Sequence, residues 1–255
     1  QAIERLTMRG GKRFRPALLT AAFRAVAPER DWAESVVDAG ASLELLQSYL
    51  LIHDDWMDRD DERRGGPSVH AALRDRHGGD GHLGGSLAIL AGNLASAYAW
   101  ELLTRDLTAE PRRTEAIRVF LRMHQEVVFG QQLDLLGSRD VSLMQQLKTG
   151  SYTVRGPLLL GAALGDADEP QRRALEAFGR PLGEAFQMRD DLLGTFGDAA
   201  QTGKPVGSDL RAGKRTALID ALDEGASAAQ AEAVRSAFGR ADASEAQIER
   251  ARSSL

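Results

Sequence analysis

Apolar residues recur along this chain at intervals of three and four rather than in alternation, and they do so from end to end. That period predicts helices almost throughout. The first runs from Phe14 to Ala27 with Pro16 in its first turn, and the second opens near Asp31 as N-cap and carries Val36, Val37, Leu43, Leu46 and Leu50. A short helix follows from Ser68 to Arg76, then Leu83 to Arg105, Pro111 to Leu136, Leu143 to Val154, Pro157 to Leu164, Pro170 through Phe196, and Lys214 to Asp223. Arg63-Arg64-Gly65-Gly66-Pro67 breaks the second helix, and Gly203 to Gly213 makes a glycine-rich, partly basic loop. With no repeat of fixed period and no linker, residues 1–255 are expected to form one all-α domain, a bundle of long antiparallel helices around a central cavity.

One junction breaks the pattern. Leu50-Leu51-Ile52-His53-Asp54-Asp55-Trp56-Met57-Asp58 runs from apolar residues directly into three carboxylates. On a helix Asp54 and Asp58 stand one turn apart on one face, with Asp55 rotated by roughly 100°. Like charges at that spacing repel unless a cation lies between them, and hard oxygen donors suit magnesium, which commonly bridges carboxylates to phosphates. A second pair, Asp190-Asp191, follows far along the chain. An Asp-Asp dipeptide alone is most often a solvated helix end. Here the first pair is followed by Arg63-Arg64, suited to phosphate oxygens, and further cations stand at Lys12, Arg13 and Arg15, at Lys148 and at Lys204. Together they match the charge of two diphosphates.

Composition narrows the classes. A formal charge of −5 and a pI near 5.6 argue against nucleic acid and anionic membrane as general partners. The absence of cysteine removes disulfides and thiolate metal sites and fits a reducing compartment, so the expected location is cytoplasmic. No apolar run approaches the ~20 residues of a membrane span. The chain opens inside an element, so a further N-terminal segment is expected.

Six blocks carry a specific resemblance: GGKRFRP from Gly10, LLIHDDWMDRDDERRGGPSVH from Leu50, GQQLDL from Gly130, KTGSYT from Lys148, FQMRDDLLGTFGD from Phe186 and TGKPVGSDLRAGKRT from Thr202. The chain resembles the trans-isoprenyl diphosphate synthases, the polyprenyl synthetase family. That resemblance implies a chain-elongating prenyltransferase that condenses an allylic diphosphate primer with isopentenyl diphosphate, as a homodimer with Mg2+. By the same resemblance Asp54 and Asp58 would bind metal with Asp55 in support. Asp190, from the Asp190-Asp191 pair, would hold another metal from the opposite wall, with Asp209 helping through water. Lys148, Lys204 and Arg63, with Lys214 as a weaker candidate, would hold the allylic diphosphate. Lys12, Arg15, Gln47 and Arg64 would hold isopentenyl diphosphate, and Gln131, Asp134, Thr149 and Gln187 would line the reaction zone. His53 and Trp56, although beside the metal site, fit packing better than catalysis.

Two features leave questions for the structure. Where the family carries a third aspartate in the second motif, this chain has Gly194, which suggests a weaker second metal site, and Asp198 lies too far along to replace it. Product length in the family depends on the residues four and five places before the first aspartate, here Leu50 and Tyr49. Bulky Tyr49 and an uninterrupted first motif favour a twenty-carbon product, geranylgeranyl diphosphate, over a fifteen-carbon one. On a helical wheel, however, Leu50 rather than Tyr49 faces the Asp54 side. A terpene cyclase would have no use for an isopentenyl site, and a noncatalytic partner subunit would not need the complete first motif.

Overall fold

The computed structural model describes residues 1–31, 34–105, 110–197 and 206–255. The longest elements are α3 (Glu34–Met57), α5 (Gly81–Arg105), α6 (Glu110–Leu135) and α9 (Glu169–Phe196). Before them come α1 (Ala2–Met8) and α2 (Phe14–Val26), and α4 (Val69–Arg76) sits between α3 and α5. A continuous helical run from Val141 to Gly165 comprises α7 (Val141–Gln145), a π-helical stretch (Gln146–Arg155) and α8 (Gly156–Gly165). Shorter helices follow at Ser208–Arg211, Ala217–Gly225, Ala228–Arg235 and Glu245–Arg252. The chain is a single all-α domain, as its periodicity predicts. No described helix is long and apolar enough to cross a membrane.

Three local differences from the sequence expectation matter. The segment Ala2–Met8 is helical and buries Leu6, although its seven residues span too few turns to display a period. The break after α3 is a two-stranded antiparallel hairpin, β1 (Glu62–Arg63) paired with β2 (Gly66–Pro67). Arg64 (φ 53°) and Gly65 (φ 70°) are both left-handed at its tip, as a type I′ turn requires. The third is the π-helical winding of Gln146–Arg155, which inserts extra backbone into the run that carries Lys148. Elsewhere the signals behaved as ordinary helix chemistry. Helix α9, for example, starts from a capping box between Asp168 and Gln171 with Pro170 in its first turn.

The main core joins α2, α3, α5, α6 and α8 through Leu19, Phe23, Leu43, Leu46, Phe120 and Leu160, all essentially without solvent contact. Val36 joins it, whereas Val37 is exposed. Trp100 and Phe120 meet edge to face at 4.8 Å within this core. A satellite core of Leu210, Ile219, Val234 and Ile248 gathers the C-terminal helices. The main core packs α3 as far as Leu50 against the N-terminal half of α6, and both helices run on from it to the ends that carry the carboxylates.

Candidate active site

Helix α3 continues to Met57, and the amide of Asp58 still reaches the carbonyl of Asp54 at 2.8 Å, so Asp54 and Asp58 share a face as expected. Asp55 points inward and is fully buried. The β1–β2 hairpin turns Arg63 back over the helix end. Its Nε donates to Asp55 Oδ1 at 2.6 Å, and its Nη2 pairs with Asp54 Oδ2 at 3.4 Å and Asp60 Oδ2 at 3.5 Å. Both partners' pKa values rise. For Asp55 loss of water outweighs the attraction of Arg63, and for Arg63 loss of its own water is outweighed by the surrounding carboxylates. One guanidinium does not fully compensate the carboxylates it serves.

Lys148 closes the cluster from the other side. Its Nζ pairs with Asp54 Oδ1 at 3.2 Å and donates to Asp134 Oδ2 at 2.5 Å, so it ties the ends of α3 and α6 together. Burial works against its charge, but Asp54, Asp134 and Asp58 outweigh burial and hold its pKa above the ordinary lysine range. Gly130 makes this contact possible, since a Cβ there would stand 2.2 Å from the Lys148 amide nitrogen. Asp58 remains accessible at the rim. Even so, loss of water and then the neighbouring Asp54 push its carboxyl up to about 6. Among the described residues this cluster holds more carboxylates than cations.

Beside it lies a cavity of roughly 170 Å³ with the opposite imbalance. Lys12, Arg15, Gln47 and Arg64 all line it, and so do Arg13 and Arg189, to which the resemblance assigns no role, together with Asp190. Arg13 sits within the GGKRFRP block and Arg189 within the FQMRDDLLGTFGD block of α9, which stacks Phe186 on Phe14 of α2. Arg15 is buried, donates to Thr153 Oγ1 at 2.7 Å, stacks over the Tyr152 ring at 4.1 Å and keeps a buried Nε without a partner. Loss of water lowers the Arg64 pKa and Glu44 raises it, while Arg13, Arg15 and Arg63 lower it again, for a net fall. Crowded guanidiniums of this kind are relieved by an anion.

The second aspartate pair divides its work. Asp190 faces the cavity, whereas Asp191 is buried and both its oxygens are taken, by Gln187 Nε2 at 2.7 Å and Gln145 Nε2 at 2.9 Å. Asp191, grouped with the metal carboxylates on sequence, is thus held as a packing carboxylate, and loss of water raises its pKa. Gly194 is explained by its neighbour. A Cβ there would stand 2.1 Å from Asp209 Oδ2, so the Asp209 carboxylate occupies the space a side chain at 194 would need. Lys214 Nζ lies 3.8 Å from Asp209. Burial opposes the charge of Lys214, but Asp209, Asp190 and Asp191 prevail over burial and over the nearby Lys148 and raise its pKa. Lys148 and the second acidic group thereby share one field. Thr149 is half-buried on the π-helical stretch, and Gln131 on α6 keeps a buried Nε2 without a hydrogen bond. Lys204 and Asp198 lie outside the described residues.

His53 donates from Nε2 to the Ile89 carbonyl at 3.1 Å, and Trp56 packs edge to face on His70 at 5.4 Å, so both are packing groups. Tyr49 is wedged edge to face between His53 (4.8 Å) and His124 (5.2 Å), while Leu50 packs against the main core. The donors suit a hard cation, because they are carboxylate oxygens whose mutual repulsion Arg63 and Lys148 leave partly unrelieved. Among the described residues no three carboxylates or imidazoles converge closely enough to hold a metal alone. That fits an ion such as magnesium, which is bound by one or two carboxylates together with phosphate oxygens.

All of residues 1–255 match the family model described as polyprenyl synthetase. The chain is 36% identical over 224 residues to a short chain isoprenyl diphosphate synthase of Methanocaldococcus jannaschii, covering 86% of this chain and 64% of that protein. It is 36% identical over 218 residues to a geranylgeranyl diphosphate synthase of Sulfolobus acidocaldarius, covering 82% and 62%. It thus spans a little under two thirds of these relatives' length. A crystal structure of geranylgeranyl pyrophosphate synthase from Corynebacterium glutamicum, complexed with isoprenyl diphosphate and magnesium, superposes with a TM-score of 0.91 at 37% identity, over 99% of this chain and 76% of that one.

The Arg63–Asp55 pair yields a stability test. Arg63→Ala leaves a buried carboxylate without its counter-charge and should cost about 3–5 kcal/mol in urea unfolding, with most of the loss recovered in the Arg63→Ala/Asp55→Asn double variant. A single variant as stable as the wild type would show that the pair carries no such burden.

Proposed function

We propose, from the premise that the chain belongs to the polyprenyl synthetase family, that it is a magnesium-dependent, chain-elongating prenyltransferase joining an allylic diphosphate to isopentenyl diphosphate. The observation that carries this reading is the adjacency of two unlike sites. An acidic cluster ending in Asp54 and Asp58, with Arg63 and Lys148, adjoins a basic cavity lined by Lys12, Arg15, Gln47 and Arg64. One site suits a diphosphate that arrives with metal, and the other suits a diphosphate bound by guanidinium and ammonium groups.

In this mechanism Asp54 and Asp58 would hold magnesium at the end of α3, and Asp190, supported by Asp209, would hold it from α9. Magnesium, when bound, supplies the positive charge that stabilises the departing diphosphate. Arg63 and Lys148 add two cations to the same leaving group, preorganised by Asp55, Asp54 and Asp134. The allylic carbon–oxygen bond breaks and its electron pair leaves with the diphosphate. The double bond of isopentenyl diphosphate, whose own diphosphate Lys12, Arg15 and Arg64 hold in place, then forms the new carbon–carbon bond. The proton lost as the new double bond closes passes to an oxygen of the released diphosphate. Protein groups orient both substrates and no protein nucleophile takes part. Tyr49, braced by two histidines, serves as the floor of the site and favours a twenty-carbon product.

The exposed faces of α5 and α6 carry Leu90, Leu94, Tyr98, Leu121 and Phe129, and we assign this apolar surface to the contact of a homodimer. Leu90→Glu should then lower the mass in sedimentation to that of a monomer, whereas a wild-type monomer at every concentration would contradict the assignment.

The direct test is incubation of the purified protein with isopentenyl diphosphate, each allylic primer and magnesium, with product length read by chromatography. Condensation should stop in excess chelator, and Asp54→Ala or Asp58→Ala should remain folded while losing about 10²–10³ or more in turnover. Arg64→Ala should raise KM for isopentenyl diphosphate more than for the primer. Activity untouched by chelation, or the reverse KM pattern, would overturn the metal or the site assignment respectively. At Gly194 the expected clash is with a movable carboxylate. Gly194→Ala should therefore leave the melting temperature nearly unchanged and raise the magnesium requirement, as should Asp209→Asn. An unaltered magnesium requirement in both variants would remove Asp209 from the second metal site.

A further inference from the structure

Helix α1 and the β1–β2 hairpin are joined by two arginines that cross in opposite directions. From the end of α1, Arg9 Nη1 donates to the carbonyls of Pro67 (2.9 Å) and Arg63 (3.2 Å), which belong to the two strands of the hairpin. From the tip of the hairpin, Arg64 Nη1 donates to the carbonyls of Leu6 (3.2 Å) and Arg9 (3.3 Å) at the end of α1. Those carbonyls lack helical partners and carry the negative end of the helix dipole, so a guanidinium is well matched to them. Each arginine lies against a glycine of the other segment. The Arg64 guanidinium carbon comes 3.4 Å from where a Cβ would stand on Gly11, and Arg9 Nη1 comes 2.7 Å from the same point on Gly66. Neither Arg9 nor the carbonyls it holds line the basic cavity, but Gly11, Lys12, Arg13 and Arg64 do.

We infer that Arg9 is a positioning residue for the cavity: by holding both strands of the hairpin it sets where Arg64 stands relative to Lys12 and Arg15. This rests on the reading that the cavity takes the diphosphate of isopentenyl diphosphate. A two-residue turn with both residues left-handed has few internal restraints beyond its own ladder, and in this molecule the outer restraint comes from Arg9. Without Arg9, the tip carrying Arg64 is held by its own ladder, by the ion pairs of Arg63 and by the contacts Arg64 itself makes, and the last of these must loosen when the guanidinium turns toward an anion. Arg9 keeps the hairpin in place during that turn. Arg63 also lies on the hairpin, but its site is fixed separately by Asp54, Asp55 and Asp60, so the loss of Arg9 should be felt at one substrate and not at the other.

The experiment compares wild type, Arg9→Ala, Arg9→Lys, Gly66→Ala and the Arg9→Ala/Gly66→Ala double variant. Isopentenyl diphosphate is titrated calorimetrically, and KM and kcat are measured for both substrates. Arg9→Ala should weaken isopentenyl diphosphate binding and raise its KM about tenfold, the scale of one charge-assisted hydrogen-bond pair. KM for the allylic primer and the melting temperature should not move, and Arg9→Lys should recover part of the loss. Gly66→Ala, whose methyl displaces the Arg9 guanidinium, should match Arg9→Ala, and the double variant should be no worse than either single one. The inference is overturned if Arg9→Ala binds isopentenyl diphosphate like wild type, if both KM values rise equally with a lower melting temperature, or if the double variant shows additive losses. Failure of the wild type itself to bind isopentenyl diphosphate would instead overturn the functional reading on which the inference rests.

Discussion

The site depends on a charge imbalance that the fold holds in place. Helices α3 and α6 end with Asp54, Asp55, Asp58 and Asp134 gathered, among the described residues, around Arg63 and Lys148. Burial first, and the neighbouring carboxylates after it, hold the pKa values of Asp55 and Asp58 above the ordinary range. The cluster stands beyond the main core of Leu43, Leu46, Phe120 and their neighbours, whose buried apolar surface holds α3 and α6 together. The core therefore supplies the stability and the carboxylates retain an unmet demand for positive charge. A few ångströms of chain further on, the same economy runs in reverse around Arg64, where guanidiniums crowd without enough carboxylate.

Two segments convert that imbalance into geometry. The hairpin places Arg63 on the acidic side and Arg64 on the basic side, and its left-handed tip is what lets adjacent side chains diverge so sharply. The π-helical stretch does the same for Lys148 and Thr153, sending the first to Asp54 and Asp134 and the second to Arg15. In both cases one short, irregular element serves two sites. A regularised helix would disturb both together, whereas on the hairpin Arg63 keeps its own ion pairs with Asp54 and Asp60.

The helices and their approximate limits were legible in the sequence because a period of three to four is written over many turns in α3, α5, α6 and α9. Leu43, Leu46 and the Asp54–Asp58 spacing needed nothing beyond that rule. Short or irregular pieces were not legible. Ala2–Met8 has too few turns to show a period, and the π-winding of Gln146–Arg155 has no compositional mark. The hairpin was foreseen only as a break, although Gly65 beside Arg64 is a reasonable signal for a tight turn. Residues quoted in linear motifs, such as Lys12, Arg15 and Arg64, could be named in advance. Arg189 stands in a quoted motif too, but its place on the cavity and the amide lock on Asp191 were not legible, because they follow from which face of α9 meets its neighbours. The departure at Gly194 looked like a missing ligand in one dimension. In three it is space occupied by Asp209, from another part of the chain.

The central claim is that the acidic end of α3 is incomplete until a diphosphate and magnesium arrive together. Calorimetric titration with an unreactive allylic thiodiphosphate, with and without magnesium, tests it most directly. Tight binding should require the metal and should be lost when Asp54 and Asp58 are both replaced by asparagine. Equal binding in the absence of magnesium, or full binding by the doubly substituted protein, would contradict it.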